Sequence, residues 1–273
     1  MMWTDPLKHI GLFRPHDGRV IDWSNVTTIT IDDRHDKDVT TCLASITKWH
    51  RRFLRPAREV IISGARPDVD GIDWIRAEKF KGEKLDTYSL WCQKELLNHF
   101  DTPFVLVWQA DGFALNPEYW SDDFFGYDYT GSPFKWSPDL VGNGGFCLRS
   151  RKFCEEVGKL PDTGSIPEDV YFCYNNRSKL ESYGIRFCPR SLAKTWGSEF
   201  DQVHGALDRC FGFHGQGLWN EVYRLISGLA KNERMLKNGS YWDGNSLRFT
   251  HGKSLSVRQL PMNHVADLDL GRK

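Results

Sequence analysis

Pro103-Phe104-Val105-Leu106-Val107-Trp108-Gln109 is the stretch that decides the fold. Its apolar residues run on without alternating, and a strand of that kind is covered on both faces, as in the middle of a parallel sheet. Upstream, Val26 to Ile31 (VTTITI) is rich in β-branched residues and reads as a first strand, ending at Asp32-Asp33-Arg34. Residues 38–55 follow with Val39, Leu43, Ile46, Trp49 and Phe53 near helical spacing. Glu59 to Ser63 (EVIIS) reads as a short buried strand, and Leu85 to Phe100 as a second helix. The order strand, helix, strand, helix, strand predicts half of a doubly wound α/β domain.

The character changes past Asp111. Residues 113–136 are dense in aromatic residues, Gly, Pro and Asp. Phe146 to Leu148 reads as a short strand, Glu168 to Asn175 as the start of a helix, and Tyr183 to Cys188 as another strand. Leu218 to Met235 has an amphipathic pattern, with Val222, Leu225, Ile226 and Leu229 on one face. From Asn238 on, the weak polar pattern predicts a loosely ordered or short-stranded tail. The expected organisation is one domain over residues 1–240, in two halves at about 20–112 and 113–240, followed by a tail over 241–273.

The bulk numbers narrow the function. Thirty-six basic and 36 acidic residues cancel to a formal charge of +0, so no global field favours nucleic acid or an anionic membrane. Anion binding must come from local placement. The seven cysteines include no CxxC pair, are odd in number, and several sit in apolar runs. That usage predicts a reducing, cytoplasmic setting, with neither a zinc site nor a disulfide framework. The first residues carry no apolar core of a secretory signal, and no run of about 18 apolar residues predicts a membrane span. Arg51, Arg52, Arg55 and Arg58 form a local basic cluster, with Arg51, Arg55 and Arg58 on one face of the expected helix. Such a face is ordinarily solvated; its alternative is a peripheral contact with a membrane or an anionic glycan.

In open α/β sheets, ligands bind beyond the carboxyl ends of the strands. Three polar groups fall at such ends: Asp32, Asp33 and Arg34; Asp111; and Gly142-Asn143-Gly144-Gly145. Their convergence predicts a single site. Asp111 can hold a divalent cation through oxygen, or simply serve an Asp-Gly turn. His214, between glycines in FGFHG, can complete such a metal site or be a satisfied structural histidine. Glu168 and Asp169 stand after Pro167 at an expected helix start, where the dipole favours acids. One of the two is free for proton transfer: Asp169 is the candidate base, with Glu168 as its positioning residue. The glycine loop allows positive φ and close approach of a ligand, and it matches neither the Walker nor the GxGxxG pattern. Its alternative reading is a strained bulge.

Several of these segments together resemble a known family. Trp108-Gln109-Ala110-Asp111, residues Tyr127 to Phe134, VGNGGFCLRSRKF (141–153), PEDVYF (167–172) and FGFHG (211–215) look like the ordered blocks of a family of unknown specificity. That family is grouped with GT-A-type glycosyltransferases and occurs in polysaccharide-synthesis loci; the blocks cover roughly residues 26–215. EDVY (168–171) is also similar to a motif of β-1,3-galactosyltransferases and Fringe-type enzymes. The resemblance implies a GT-A-like α/β domain. Its first half would be Rossmann-like and nucleotide-binding, with a mostly parallel sheet flanked by helices, and its second half would face the acceptor. It implies a nucleotide-diphosphate sugar, UDP-sugar favoured, lying near Thr30, Asp32, Asp33, Arg34, Gln109, Asp111, Asn143, Gly144 and Gly145. It implies an inverting transfer to a glycan or lipid-linked glycan, with Asp169 as base. It also implies Mn²⁺ or Mg²⁺ at Asp111 and His214, although Gln109-Ala110-Asp111 has one carboxylate where the family motif Asp-x-Asp has two. Trp120, Tyr129 and Trp136 are stacking candidates for the acceptor, and Glu199 is a candidate to orient a sugar hydroxyl. Retaining chemistry, a metal-dependent phosphoesterase or nucleotidyltransferase, and a non-catalytic glycan-binding module remain open alternatives.

Overall fold

The computed structural model describes residues 19–32, 37–77, 85–137, 139–199, 209–215, 241–242 and 247–248. Asp33, Arg34 and the segment Leu218 to Met235 lie outside the described residues.

The apolar run of the opening stretch becomes β4 of the chain. In order, the elements up to it are β1 (Ile21–Asp32), α1 (Lys37–His50), β2 (Leu54–Ser63), β3 (Asp73–Arg76), α2 (Leu85–Lys94) and β4 (Phe104–Trp108). Then come β5 (Gly112–Ala114), β6 (Tyr129–Thr130), β7 (Phe146–Ser150), α3 (Arg151–Gly158), α4 (Glu168–Val170), α5 (Arg177–Ser182), α6 (Arg190–Trp196), β8 (Gly197–Glu199) and β9 (Gly212–His214). A last pair, β10 (Tyr241–Trp242) and β11 (Leu247–Arg248), is antiparallel.

Six strands form the main sheet in the order β3-β2-β1-β4-β7-β6. β3, β2, β1 and β4 run parallel, while β7 lies antiparallel to β4 and β6 antiparallel to β7. This is the α/β architecture with a mostly parallel central sheet that the sequence predicts. β1 and β4 hold its middle, and Val26, Ile29, Val105, Leu106 and Val107 are all buried. The two expected halves share this sheet, because β6 and β7 extend it beyond β4. A second sheet, β5-β9-β8, stands at the end of β4.

Several boundaries differ from the reading of the sequence. The first helix stops at His50, and Arg55 and Arg58 belong to β2, so the arginines do not share a helix face. Arg51 pairs with Glu59 and Arg58 with Asp73, which neutralises much of that basic cluster. The expected strand at Tyr183 to Cys188 is only a bridge from Phe187 to Tyr129. Its sequence has strand-like residues, but it meets a β6 just two residues long. β3 and β5 were not legible, being short and only weakly apolar.

Side chains from α1 fix the second sheet. Trp49 donates Nε1–H to the Ala114 carbonyl (2.9 Å), and His50 Nε2 accepts the Ala114 N–H (3.2 Å). Burial lowers the His50 pKa to about 3, so the ring stays neutral and keeps that acceptor. Behind the start of β7, Trp196 stacks on Phe146 and donates Nε1–H to its carbonyl (3.0 Å). Trp23, Trp120, Phe124 and Phe211 pack around the same point. Each such ring contributes about 1.5–3 kcal/mol on burial.

All seven cysteines are buried thiols outside any disulfide. Burial pushes the Cys154 and Cys188 thiols up to about 12 and Cys147 upward, which removes the reactive thiolate. A disulfide-exchange reagent should therefore label essentially none of the seven in the native protein and all of them in guanidinium. Rapid labelling of several thiols without denaturant would contradict this packing.

Candidate active site

The sheet brings distant segments to one edge. β7 runs antiparallel to β4 with Phe146 opposite Trp108, so the loop before β7 sits beside the residues after β4. That register places Gly142 to Gly145 next to Gln109-Ala110-Asp111. The chain then turns back at Gln109 and Gly112, which exchange two backbone hydrogen bonds (2.8 and 3.0 Å). Asp111 therefore does occupy a turn. β5 continues from it and pairs Gly112 with His214, while β8 pairs Glu199 with His214.

His214 is the hub of the resulting polar cluster. Its Nε2 faces Gln109 Oε1 (3.2 Å) and Asp111 Oδ1 (3.9 Å); its Nδ1 faces Glu199 Oε1 (3.9 Å). The hydrogen of Gly145 keeps room for this ring, since a Cβ there would lie 2.1 Å from Nε2. Burial opposes charge on the imidazole. Glu199, with Asp111 and Asp169, outweighs it and pushes the pKa up to about 9. Glu199 is thus a partner of His214 rather than a loose surface carboxylate.

Asp169 is held by the glycine loop. Its Oδ2 accepts the N–H groups of Asn143 (3.0 Å) and Gly144 (3.3 Å), and its Oδ1 accepts that of Val170 (2.8 Å). Asn143 takes φ 66°, the left-handed region, which turns these successive N–H groups toward one carboxylate. Asp169 is half-buried. Burial and the Glu199 charge raise its pKa against the Val170 and Gly144 N–H groups and His214, which lower it. The Asn143 side chain is buried, and among the described residues neither its Nδ2 nor its Oδ1 finds a hydrogen-bond partner.

Glu168 points the other way, into the protein. Its Oε1 accepts from Arg149 Nη2 at 3.2 Å, and both side chains are essentially buried. Arg149 also donates Nε–H to Cys147 Sγ (3.2 Å) and lies against the Tyr129 and Phe172 rings. Ser89 Oγ accepts the Glu168 N–H (3.1 Å), tying α4 to α2. A Cβ at Gly144 would come 1.8 Å from Glu168 Oε1, so this glycine is required by the ion pair beneath it. Arg149 was missed in the sequence. A charge in the apolar strand FCLRS was the available signal, because it demands a buried counter-charge.

The remaining candidates divide. Thr30 is buried inside β1 and Asp32 ends that strand. Trp120 and Tyr129 are 4% and 0% exposed, which leaves no ring face for a sugar; they are core residues. Trp136 is 45% exposed and keeps an open surface.

Among the described residues, no three His, Cys, Asp or Glu side chains are grouped to hold a metal ion. Asp111 offers one carboxylate and His214 Nε2, once the ring has given up the proton its acidic neighbours favour, one imidazole nitrogen, with the Gln109 amide oxygen beside them. Glu199 on the far ring nitrogen stands where an orienting carboxylate backs a metal-bound imidazole. This set fits a divalent ion shared with substrate oxygens better than an ion caged by protein alone.

Residues 73–214 match the family described as "Protein of unknown function (DUF5672)", over half of the chain, and the chain belongs to that family. No curated protein matches the sequence. The chain is similar to the solved mannosyltransferase PcManGT from Pyrobaculum calidifontis in complex with GDP-Man and Mn²⁺ (14% identity, TM-score 0.36, 67% of this chain and 61% of that one). This chain therefore spans less than two thirds of that enzyme's length. It is also similar to a glycosyltransferase involved in glycosylation of the major capsid of PBCV-1 (12%, TM-score 0.45, 74% and 98%). A third similar structure is the galactosyltransferase LgtC in complex with donor and acceptor sugar analogs (10%, TM-score 0.41, 74% and 95%). Among the described residues, no helix is long and apolar enough to cross a membrane.

Burial and the neighbouring Asp169 charge push the Glu168 carboxyl from 4.5 up to about 7, against the pull of Arg149. Its folded value lies above its unfolded one, so the proton-linked part of its contribution is full below about pH 4.5 and is lost as pH rises through about 7, while the contact with Arg149 remains. The stability advantage of wild type over Glu168→Gln should therefore shrink across that window, as read by urea unfolding at several pH values. An advantage that grows with pH would contradict the assignment.

Proposed function

We propose that the protein transfers a sugar from a nucleotide-diphosphate sugar to a hydroxyl of a glycan acceptor, with inversion. The observation that carries this reading is the meeting of Asp169, Asn143, Asp111, Glu199 and His214 at one end of the sheet. Such an end is the ligand-binding place of open α/β folds.

The geometry supports these roles. The donor diphosphate lies toward Asp111 and His214, and its sugar over Asn143, Gly144 and Gly145. Asp32, at the end of β1, lies on the nucleotide side. Among the described residues Asp169 Oδ1 accepts one hydrogen bond, from Val170, and has a lone pair for the proton of the acceptor hydroxyl. As that proton moves to Asp169, the acceptor oxygen forms a bond to the anomeric carbon. The bond from that carbon to the diphosphate breaks, and the nucleoside diphosphate leaves with the electron pair. The raised pKa brings Asp169 nearer to neutrality, where a carboxylate is a more effective base. Glu168 and Arg149 keep the backbone of the loop and α4 in place. A divalent ion held by Asp111 and His214 supplies positive charge beside the diphosphate when bound.

A thermal-shift panel of UDP-, GDP-, dTDP- and CMP-sugars, with and without Mn²⁺, tests the reading. One nucleotide class should stabilise the protein, and by more with Mn²⁺ present, since an ion that Asp111 and His214 would hold would offset the diphosphate's charge. At a hundredfold excess over Kd the gain is about 2.7 kcal/mol. Asp169→Asn should keep this shift and lose about 10²–10⁴-fold in turnover. In wild type, kcat should fall on the acid side, with a midpoint above the ordinary carboxylate range. No shift with any donor favours a glycan-binding module instead.

A further inference from the structure

Trp136 and Tyr174 are in contact and both open to solvent. Among the described residues, the exposed large apolar side chains are Val20, Leu90, Trp136, Tyr174 and Tyr183, and Trp136 with Tyr174 makes a ring pair. Their centroids lie 4.9 Å apart with planes at 81°, so the two rings form a corner. Phe134 stacks behind Trp136 (4.7 Å, 28°) and is itself buried, which fixes the outer ring against a rigid backing.

Both walls of this corner are tied to Asp169. Phe134 rests on Gly142, where a Cβ would lie 1.9 Å from its ring, and donates its N–H to the Leu140 carbonyl (2.9 Å). Gly142 donates to the Ser132 carbonyl (2.9 Å), and the next residue, Asn143, donates to Asp169. Tyr174 lies on the helical segment that Glu168 and Asp169 begin. That segment widens to a π-turn over Tyr171–Asn175, with Asn176 N–H bonded to the Tyr171 carbonyl (3.0 Å). π-turns recur at functional sites, where they re-aim a side chain.

We propose that Trp136 and Tyr174 form the walls of a subsite for one pyranose ring of the acceptor glycan; this rests on the transferase reading. The chemistry favours a sugar over an aliphatic partner. The exposed apolar surface at the corner is that of two aromatic rings, and the C–H groups on a pyranose face carry the partial positive charge that the negative face of a ring attracts. Exposed Lys135 and Asn175 and half-exposed Ser137 and Asn176 are close in sequence to the two rings and offer hydrogen bonds to hydroxyls. A few polar groups around aromatic walls is the usual make-up of a small-molecule site.

The test is titration of wild type, Trp136→Ala, Tyr174→Ala and Trp136→Phe with gluco-, galacto- and manno-oligosaccharides by saturation-transfer NMR. The nucleotide-sugar thermal shift is measured on each variant in parallel. At least one oligosaccharide should bind wild type. Each alanine variant should weaken it about tenfold or more, and Trp136→Phe should keep part of the affinity. The nucleotide-sugar shift should be unchanged. The exposed positions leave folding intact, and Trp136→Phe guards against any loss. Oligosaccharide binding that is insensitive to all three substitutions, or absent from wild type, overturns the subsite even if nucleotide sugars bind. Binding that is lost in the variants while no nucleotide sugar binds leaves the subsite standing and removes the transferase reading.

Discussion

A guanidinium with no exposure faces one carboxylate beneath the glycine loop, and much of the site depends on that pair. Arg149 lies on β7 and Glu168 opens α4, so their contact joins the sheet to the helix that carries Asp169. Breaking such a pair from one side costs about 3–5 kcal/mol, because a charge is left buried alone. The pair also dictates the loop above it. Gly144 has room for hydrogen only, since the Glu168 carboxylate fills the space of a Cβ. With its neighbour turned inward, Asp169 faces the loop N–H groups and the polar cluster. Two adjacent acids thus take opposite environments, one structural and one open to chemistry.

A second constraint is the change of strand direction after β4. An antiparallel β7 returns the chain to the edge where β4 ends, and the small β5-β9-β8 sheet brings residues 199 and 214 to the same place. Glycines mark the crowded points. Gly145 and Gly112 make room for the His214 ring, and Gly212 for Phe146. These positions are set by the chain's own packing, so the density of glycine in the loop has a structural cause.

Much of the first half was legible in the sequence because a buried parallel strand shows as a continuous apolar run, as at 104–108, or as a run of β-branched residues, as at 26–31. The second half was less so. β5, β6, β8 and β9 have two or three residues each, too short for any period to show. The pairing of Asp111 with His214 follows from strand register over a long separation, which spacing alone does not reveal. Trp120 and Tyr129 were offered as sugar platforms because aromatic residues cluster near 113–136. Burial by Trp23, Phe124, Phe153 and Phe187 assigns them to the core. Trp136 and Trp120 look alike in sequence and are separated only by what packs around them.

The most direct measurement is a crystal structure with a bound nucleotide-diphosphate sugar. The account predicts the diphosphate against Asp111 and His214, with the anomeric carbon presenting its far side to Asp169 across Asn143 and Gly144. A donor bound away from this edge, or one whose anomeric carbon is screened from Asp169, would contradict it.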